Sequence, residues 1–234
     1  LEGARGRKPG RAHHGHRRVH GVKVRMRVVG AFQENSYLVI DEASTHAVLV
    51  DPGDEPDELI AMVEESGVAL DAIWLTHGHL DHIGGIAGVR RRWPVPVYMH
   101  PLDLPLFVRG EQQAALYGVP FEQPEPPDMD LGDGDTLAVG SLAFDVIHLP
   151  GHSPGHVVFR HDTILLGGDL LFAGSIGRTD LPLANPAHME DSLSRISELD
   201  DATIVHPGHG PITTIGRERA TNPFLTGAAR VVRG

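Results

Sequence analysis

Hydrophobic and polar positions alternate from Val22 to Gly30, the rhythm of a strand with one buried face. Two denser apolar runs, Ser36–Asp41 and His46–Val50, also read as strands. The second runs into Asp51-Pro52-Gly53, a turn signal. Pro56–Ser66 places apolar residues at 59, 60 and 63, the spacing of an amphipathic helix, with Gly67 as its C-cap. Ala72–Leu75 is predicted as a short buried strand and Gly85–Trp93 as a helix. Val95–Met99 is predicted as a strand that Pro96 keeps near a sheet edge, and Pro101–Tyr117 as a helix. Pro120–Asp128 contains four prolines and reads as a stiff surface loop, either the border of a substrate cleft or a plain connector.

The second half repeats this order. Thr136–Val139, Leu142–Leu149, His156–Arg160 and Thr163–Leu166 predict a four-strand meander. His188–Leu199 predicts a helix started by Asn185-Pro186, and Thr203–Val205 a short buried strand that leads into His206-Pro207-Gly208-His209. Each half therefore runs strands, helix, then a strand with histidines at its end. The expected fold is α/β, with two similar halves packed sheet to sheet and helices outside.

Composition adds bounds. The chain has 234 residues, 41% of them hydrophobic, enough for one sizeable core over residues 22–234. Residues 1–21 are Arg-, Gly- and His-rich with almost no apolar content, which predicts a disordered basic tail. His13, His14, His16 and His20 lie in it. The net charge of -11 is uneven: residues 1–27 hold nine Arg/Lys against one Glu, and the remainder eleven Arg against thirty Asp/Glu. A body that acidic disfavours nucleic acid as a partner. The absence of cysteine excludes disulfides, thiolate metal sites and a cysteine nucleophile. No apolar run is long enough to span a membrane, and the N-terminus has no signal-peptide core. The expectation is a cytoplasmic protein acting on a small molecule, without a membrane or nucleic-acid partner; its oligomeric state is not legible.

The candidate chemistry begins at Thr76-His77-Gly78-His79-Leu80-Asp81-His82, at the end of a predicted strand. Imidazole and carboxylate are ligands for a borderline divalent ion such as zinc. Residues two apart on an extended loop point the same way, so His77 and His79 suit one ion, while Asp81 and His82 suit a second. His152, Asp169 and His209 each follow an apolar run and are flanked by Gly or Pro. Together these are five His and two Asp, the complement of a two-metal hydrolytic site.

On these residues the chain resembles the metallo-β-lactamase superfamily, whose motif is His-x-His-x-Asp-His followed by His, Asp and His. The likeness spans roughly residues 22–222. It implies a four-layer αβ/βα sandwich. It also implies that His77, His79 and His152 hold one metal, that Asp81, His82 and His209 hold the other, and that Asp169 bridges them. Within the superfamily the chain resembles the short bacterial type II glyoxalases, through Phe32–Tyr37, Gly174–Asp180, Pro207–Pro211 and Asn222–Leu225. Longer glyoxalases carry a C-terminal helical domain that binds glutathione. Only 25 residues follow His209, so that domain is expected to be absent. No lysine follows Lys23, so an anionic thiol would be held by Arg, backbone or helix ends.

The resemblance implies a hydrolase that cleaves a hydroxyacyl thioester like S-lactoylglutathione, using two zinc ions and a bridging hydroxide that Asp81 helps orient. Zinc lowers the pKa of bound water to about 7. One alternative is a mononuclear iron persulfide dioxygenase of the same fold, using His77, His152 and Asp169; another is a lactonase or small ester hydrolase. Asp51 is expected behind the ligands, fixing an imidazole, with a plain turn residue as the alternative. Arg178 is read as the ion-pair partner of Asp180 or as a substrate contact. His100, His148, His156 and His206 are read as structural or as supports of the ligands.

Overall fold

The computed structural model describes residues 21–231. The basic tail expected over residues 1–21 falls, but for Gly21, outside the described residues. The first half opens with three antiparallel strands, β1 (Val22–Val29), β2 (Glu34–Asp41) and β3 (His46–Val50). Helix α1 (Pro56–Ser66) then crosses to β4 (Ala69–Trp74), which runs parallel to β3. Next come α2 (Leu80–Ile83), α3 (Ile86–Arg92), β5 (Val97–Met99), α4 (Leu104–Phe107), α5 (Gly110–Tyr117) and β6 (Met129–Asp130). The strands form one sheet in sequence order.

The second half begins with the predicted meander, β7 (Thr136–Val139), β8 (Leu142–His148), β9 (Val157–His161) and β10 (Ile164–Gly168). A small hairpin follows, β11 (Leu171–Phe172) with β12 (Ser175–Ile176). Helix α6 (Pro186–Ser197) returns the chain to β13 (Ile204–Pro207), parallel to β10. Last come β14 (Thr213–Thr214), α7 (Ile215–Thr221) and α8 (Pro223–Thr226). The second sheet runs β14-β13-β10-β9-β8-β7.

Three apolar clusters show how the layers stack. Leu38, Leu49 and Ile73 face Leu59 and Met62 of α1 and Val89 of α3. Tyr37, Val39, Val48 and Trp74 face Phe144, Val157 and Phe159 across the seam between the sheets. Val158, Leu165 and Val205 face Met189 and Leu193 of α6. This is the four-layer αβ/βα sandwich. Successive residues of β2 serve two cores, Leu38 and Ile40 one, Tyr37 and Val39 the other. That is why the strand is buried throughout and reads as a continuous apolar run.

Three expectations are corrected. Pro101–Tyr117 is a 3-10 turn (Pro101–Asp103), then α4, then α5. Pro105 lacks an N–H and fits only a first helical turn, so the helix restarts there. The predicted strand Val95–Met99 begins only at Val97; it lies near the sheet edge as expected, with the two-residue β6 paired outside it. The proline-rich loop does not line the main cleft described below; Pro120, Phe121 and Glu122 line a smaller cavity beside it.

One clamp ties the sheets together. Asp41, fully buried at the end of β2, accepts hydrogen bonds from Ser141 N (2.7 Å) and Ser141 Oγ (2.8 Å) in the turn between β7 and β8. It also takes Ala43 N and Ser44 Oγ from its own turn. The Ser141 amide leads these donors in holding the carboxyl well below the usual carboxylate range, against the opposing pull of burial. A depressed folded-state pKa gives stability that is present above the unfolded value, about 3.9, and lost as pH falls through the folded value. Asp41→Asn is therefore expected to cost about 2 kcal/mol at pH 7, with the gap to wild type narrowing below pH ~4. Urea titrations at pH 7 and at acid pH check this; a gap independent of pH would refute the clamp.

Candidate metal centre

Parallel strands put their C-terminal ends on one side of a sheet, and the predicted donors follow such ends. His77 and His79 lie on the loop after β4, and Asp81 and His82 on the single turn α2. His152 lies on the β8–β9 connection, Asp169 just after β10, and His209 just after β13. The fold brings all seven together. Atoms of His77, His79 and His152 lie within 4.8 Å of one another, as do atoms of Asp81, His82 and His209. Asp169 reaches both groups: Oδ1 is 3.4 Å from His82 Nε2, and Oδ2 is 3.4 Å from His152 Nε2 and 3.5 Å from His209 Nε2.

The hydrogen bonds behind the rings fix which nitrogen each presents. A carbonyl or carboxylate oxygen only accepts, so the ring nitrogen facing it donates. His152 Nδ1 donates to Arg178 O (2.8 Å) and His209 Nδ1 to Phe32 O (3.1 Å). His82 Nδ1 donates to Asp51 Oδ2 (3.0 Å). Thr76 Oγ1 donates to Asp51 Oδ2 (2.6 Å), so it accepts from His77 Nδ1 (2.9 Å). Four rings thus hold their backs through Nδ1 and present Nε2. His79 is the exception: it presents Nδ1, 2.9 Å from His152 Nε2. Asp51 stands behind two rings, directly behind His82 and through Thr76 behind His77. Its φ of 48° is left-handed, a conformation that costs free energy and that the surrounding hydrogen bonds maintain.

The electrostatics favour a cation. Burial, then the neighbouring His152, pushes His79 down to about 3, and burial with His82 holds His77 well below the imidazole range, so both are neutral donors. Burial opposes charge on His82, yet Asp169 and Asp81 outweigh it and raise its pKa well above the ordinary value. His209 is raised too, against burial, by its bond to Asp81 and by Asp169. Burial alone would raise the carboxyl of Asp169; His82, His152 and His209 reverse that and hold it far below the carboxylate range. His77 Nε2, His82 Nε2 and Asp169 Oδ1 are buried and have no hydrogen-bond partner. An unpartnered buried polar atom costs about 1–3 kcal/mol. Three of them lying among imidazoles and carboxylates fit a divalent metal, which would take the place of the protons that the carboxylates draw onto His82 and His209.

Glycines allow this crowding. A Cβ on Gly208 would sit 2.1 Å from Asp169 Oδ1 and 2.8 Å from His82 Cε1. Gly168, at φ 48°, lets β10 end so that Asp169 N donates to His156 Nε2 (3.0 Å). His156 thus supports Asp169, and burial followed by His152 pushes it down to about 3. His206 lies edge-on to Tyr37, and His100 stacks on His148 away from the donors.

Residues outside the expected set also matter. Asp103, fully buried, accepts from Gly78 N (2.9 Å), Ser153 Oγ (2.6 Å) and Gly155 N (2.5 Å), joining the His77–His79 loop to the His152 loop. Glu34, also buried, lies 3.8 Å from His82 Nδ1, and burial raises its pKa well above the usual range. Glu34 lies in the Phe32–Tyr37 segment that carries the resemblance but was given no role there; Asp103 sits in no motif, and only an acidic residue among apolar neighbours marks it. Arg178 forms a two-point ion pair with Asp180 at 2.8 Å, and its carbonyl holds His152. Asn35 and Tyr37 bond Pro207 O and so fix the His209 loop. The donors open into a cleft of about 490 Å³, walled by Phe32, Leu106, Tyr117, Phe172 and Leu181.

Comparison with known proteins gives the family of the chain. The Metallo-beta-lactamase superfamily profile matches residues 29–209. Hydroxyacylglutathione hydrolase GloC of Haemophilus influenzae is 38% identical over 202 residues, 84% of this chain and 95% of that protein. Among solved structures, BLEG-1 B3 metallo-beta-lactamase superposes with a TM-score of 0.82 at 37% identity, covering 88% of this chain and 100% of that one. TTHA1623 in a di-iron-bound form gives 0.80 at 46% identity, covering 86% and 99%. ETHE1 from Myxococcus xanthus gives 0.74 at 28% identity, covering 88% and 85%. The chain belongs to the metallo-β-lactamase superfamily of metal-dependent hydrolases.

Proposed function

We propose that the protein hydrolyses a hydroxyacyl thioester of the S-lactoylglutathione kind at a two-metal site. The observation that carries this reading is the lining of the cleft. It contains His79, Asp81, His152, Asp169 and His209, yet no serine, threonine, cysteine or lysine. The attacking group is then water. The likeness to GloC, named a hydroxyacylglutathione hydrolase, supports a thioester as the bond it attacks.

In this reading His77, His79 and His152 would hold one metal, Asp81, His82 and His209 would hold the other, and Asp169, which lies against both groups, would serve the two. When bound, the metals supply Lewis acidity and a water acidic enough to ionise near neutral pH. The chain's own residues do the rest. Nδ1 bonds to Arg178 O, Phe32 O, Asp51 and Thr76 keep the rings in place. Asp81, whose Oδ2 is 3.2 Å from His209 Nε2, orients the attacking water. Phe32, Leu106, Tyr117 and Phe172 exclude bulk water around the reacting carbon. The acyl C–S bond breaks, a C–O bond forms from water, and a carboxylic acid and a free thiol leave.

Zinc suits the His/Asp donor set, while the di-iron form of TTHA1623 favours iron as the alternative. A mononuclear iron dioxygenase is the second reading; a lactonase or other ester hydrolase would use the same donors. Metal analysis of protein purified without added metal, paired with three assays, separates them: thiol release from S-lactoylglutathione, oxygen uptake with a persulfide, and opening of a lactone. The expected result is two metals per chain and chelator-sensitive thiol release without oxygen uptake. One iron per chain with oxygen uptake and no thioester cleavage would sink the hydrolase.

A further inference from the structure

We infer that Arg109 reads the thiol carrier, and that the substrate is an acyl thioester whose carrier bears a carboxylate. This rests on the thioester reading above. Two arginines line the cleft, and they differ. The guanidinium of Arg178 gives Nε and Nη2 to Asp180 at 2.8 Å each and is already neutralised. Arg109, exposed at the start of α5, has no ion-pair partner among the described residues. Elsewhere among the described residues most arginines are spent on acids, as in Arg25 with Glu65, Arg90 with Asp128 and Arg219 with Asp201; Arg160, Arg217 and Arg230 also lack an ion pair, but none of them lines the cleft.

The surrounding charge sharpens the contrast. Residues 28–234 hold eleven Arg against thirty Asp/Glu, so an anion approaching most of this surface is repelled. At the cleft one cation remains unmatched. A guanidinium presents two parallel N–H groups to a carboxylate, a pairing that an uncharged carrier does not make. Gln112, in the first turn of α5 that Arg109 precedes, lines the same cleft with an amide. Apart from Arg109, Arg178, Gln112, Gln113 and the metal donors, the cleft is lined by apolar or aromatic residues. Leu116 and Leu183 line it while remaining 85% and 51% exposed, and Leu183 is held at φ 67°, an unfavourable conformation for leucine. These side chains form a surface for the carbon chain of a carrier whose far end reaches Arg109.

The test compares S-lactoylglutathione, which has free carboxylates, with the lactoyl thioester of N-acetylcysteamine, which has none. The proteins are wild type, Arg109→Gln and Arg217→Gln, the last removing an exposed arginine that does not line the cleft. The ratio of kcat/KM for the first substrate over the second should fall about tenfold in Arg109→Gln, mostly through KM, and stay put in Arg217→Gln. Metal content should be equal in all three. Titration with glutathione, which needs no turnover, should show the same loss of affinity. An unchanged ratio, or an equal fall in Arg217→Gln, would overturn the role of Arg109. If wild type cleaves neither thioester, the hydrolase reading fails, and the glutathione titration decides on Arg109 alone: equal affinity for wild type and Arg109→Gln overturns it.

Discussion

Asp169→Ala is expected to lose tight binding of both metals and to cut turnover by more than about 100-fold, the upper end of what losing a mere supporting group costs. No other cluster residue touches both groups in the same way: Oδ1 faces His82, and Oδ2 faces His152 and His209. Removing the carboxylate takes one donor from each ion. It also removes the charge that opposes the mutual repulsion of the rings. The backbone is spared, because Asp169 N donates to His156 through an atom that alanine keeps. The variant should therefore fold. His209→Ala is the contrast: His209 is half-open at the mouth and belongs to the second group alone, so one metal should remain. Metal content after dialysis against a weak chelator, read with circular dichroism, separates the two. Retention of one metal at wild-type affinity in Asp169→Ala would show that it does not bridge.

The grouping of these seven side chains was legible from local signals: His77, His79, Asp81 and His82 fall within six residues, and His152, Asp169 and His209 each follow an apolar run beside Gly or Pro. The seam between the halves was legible for a similar reason: β2 and β3 are apolar on both faces, so each needed a layer on either side. What stayed hidden depends on tertiary placement. The two-residue strands β6, β11, β12 and β14 are too short to show any period. Backbone carbonyls carry no residue identity, so the grip of Arg178 O on His152 and of Phe32 O on His209 leaves no trace in the sequence. The break of Pro101–Tyr117 into three pieces placed Arg109 and Tyr117 at the cleft, where one continuous helix was expected. Asp103 was concealed within that same stretch.

Asp103→Asn is expected to weaken the metal held by His77, His79 and His152 by about 10–100-fold while sparing the other. The carboxylate serves one group only. Gly78 lies between His77 and His79, and Ser153 and Gly155 follow His152; all three donate to Asp103. Asp51 is its counterpart, bonded to His82 and, through Thr76, to His77. Asparagine keeps the volume but has one acceptor oxygen where aspartate has two. If that oxygen serves Gly155, the amide nitrogen faces the Gly78 N–H, donor against donor; reversed, it faces Gly155. Ser153 can rotate its hydroxyl to adapt, whereas a backbone amide cannot. One buried N–H is left unmatched, at about 1–3 kcal/mol of stability. The two loops then part at the point where His79 Nδ1 and His152 Nε2 stand 2.9 Å apart. Competition with a chromogenic chelator counts the metals released and their affinities, and thermal melts report the fold. Asp103→Ala is the second variant, since it removes both acceptor oxygens and should release that metal more completely. A lower melting temperature with both metal affinities unchanged would make Asp103 a structural residue and nothing more.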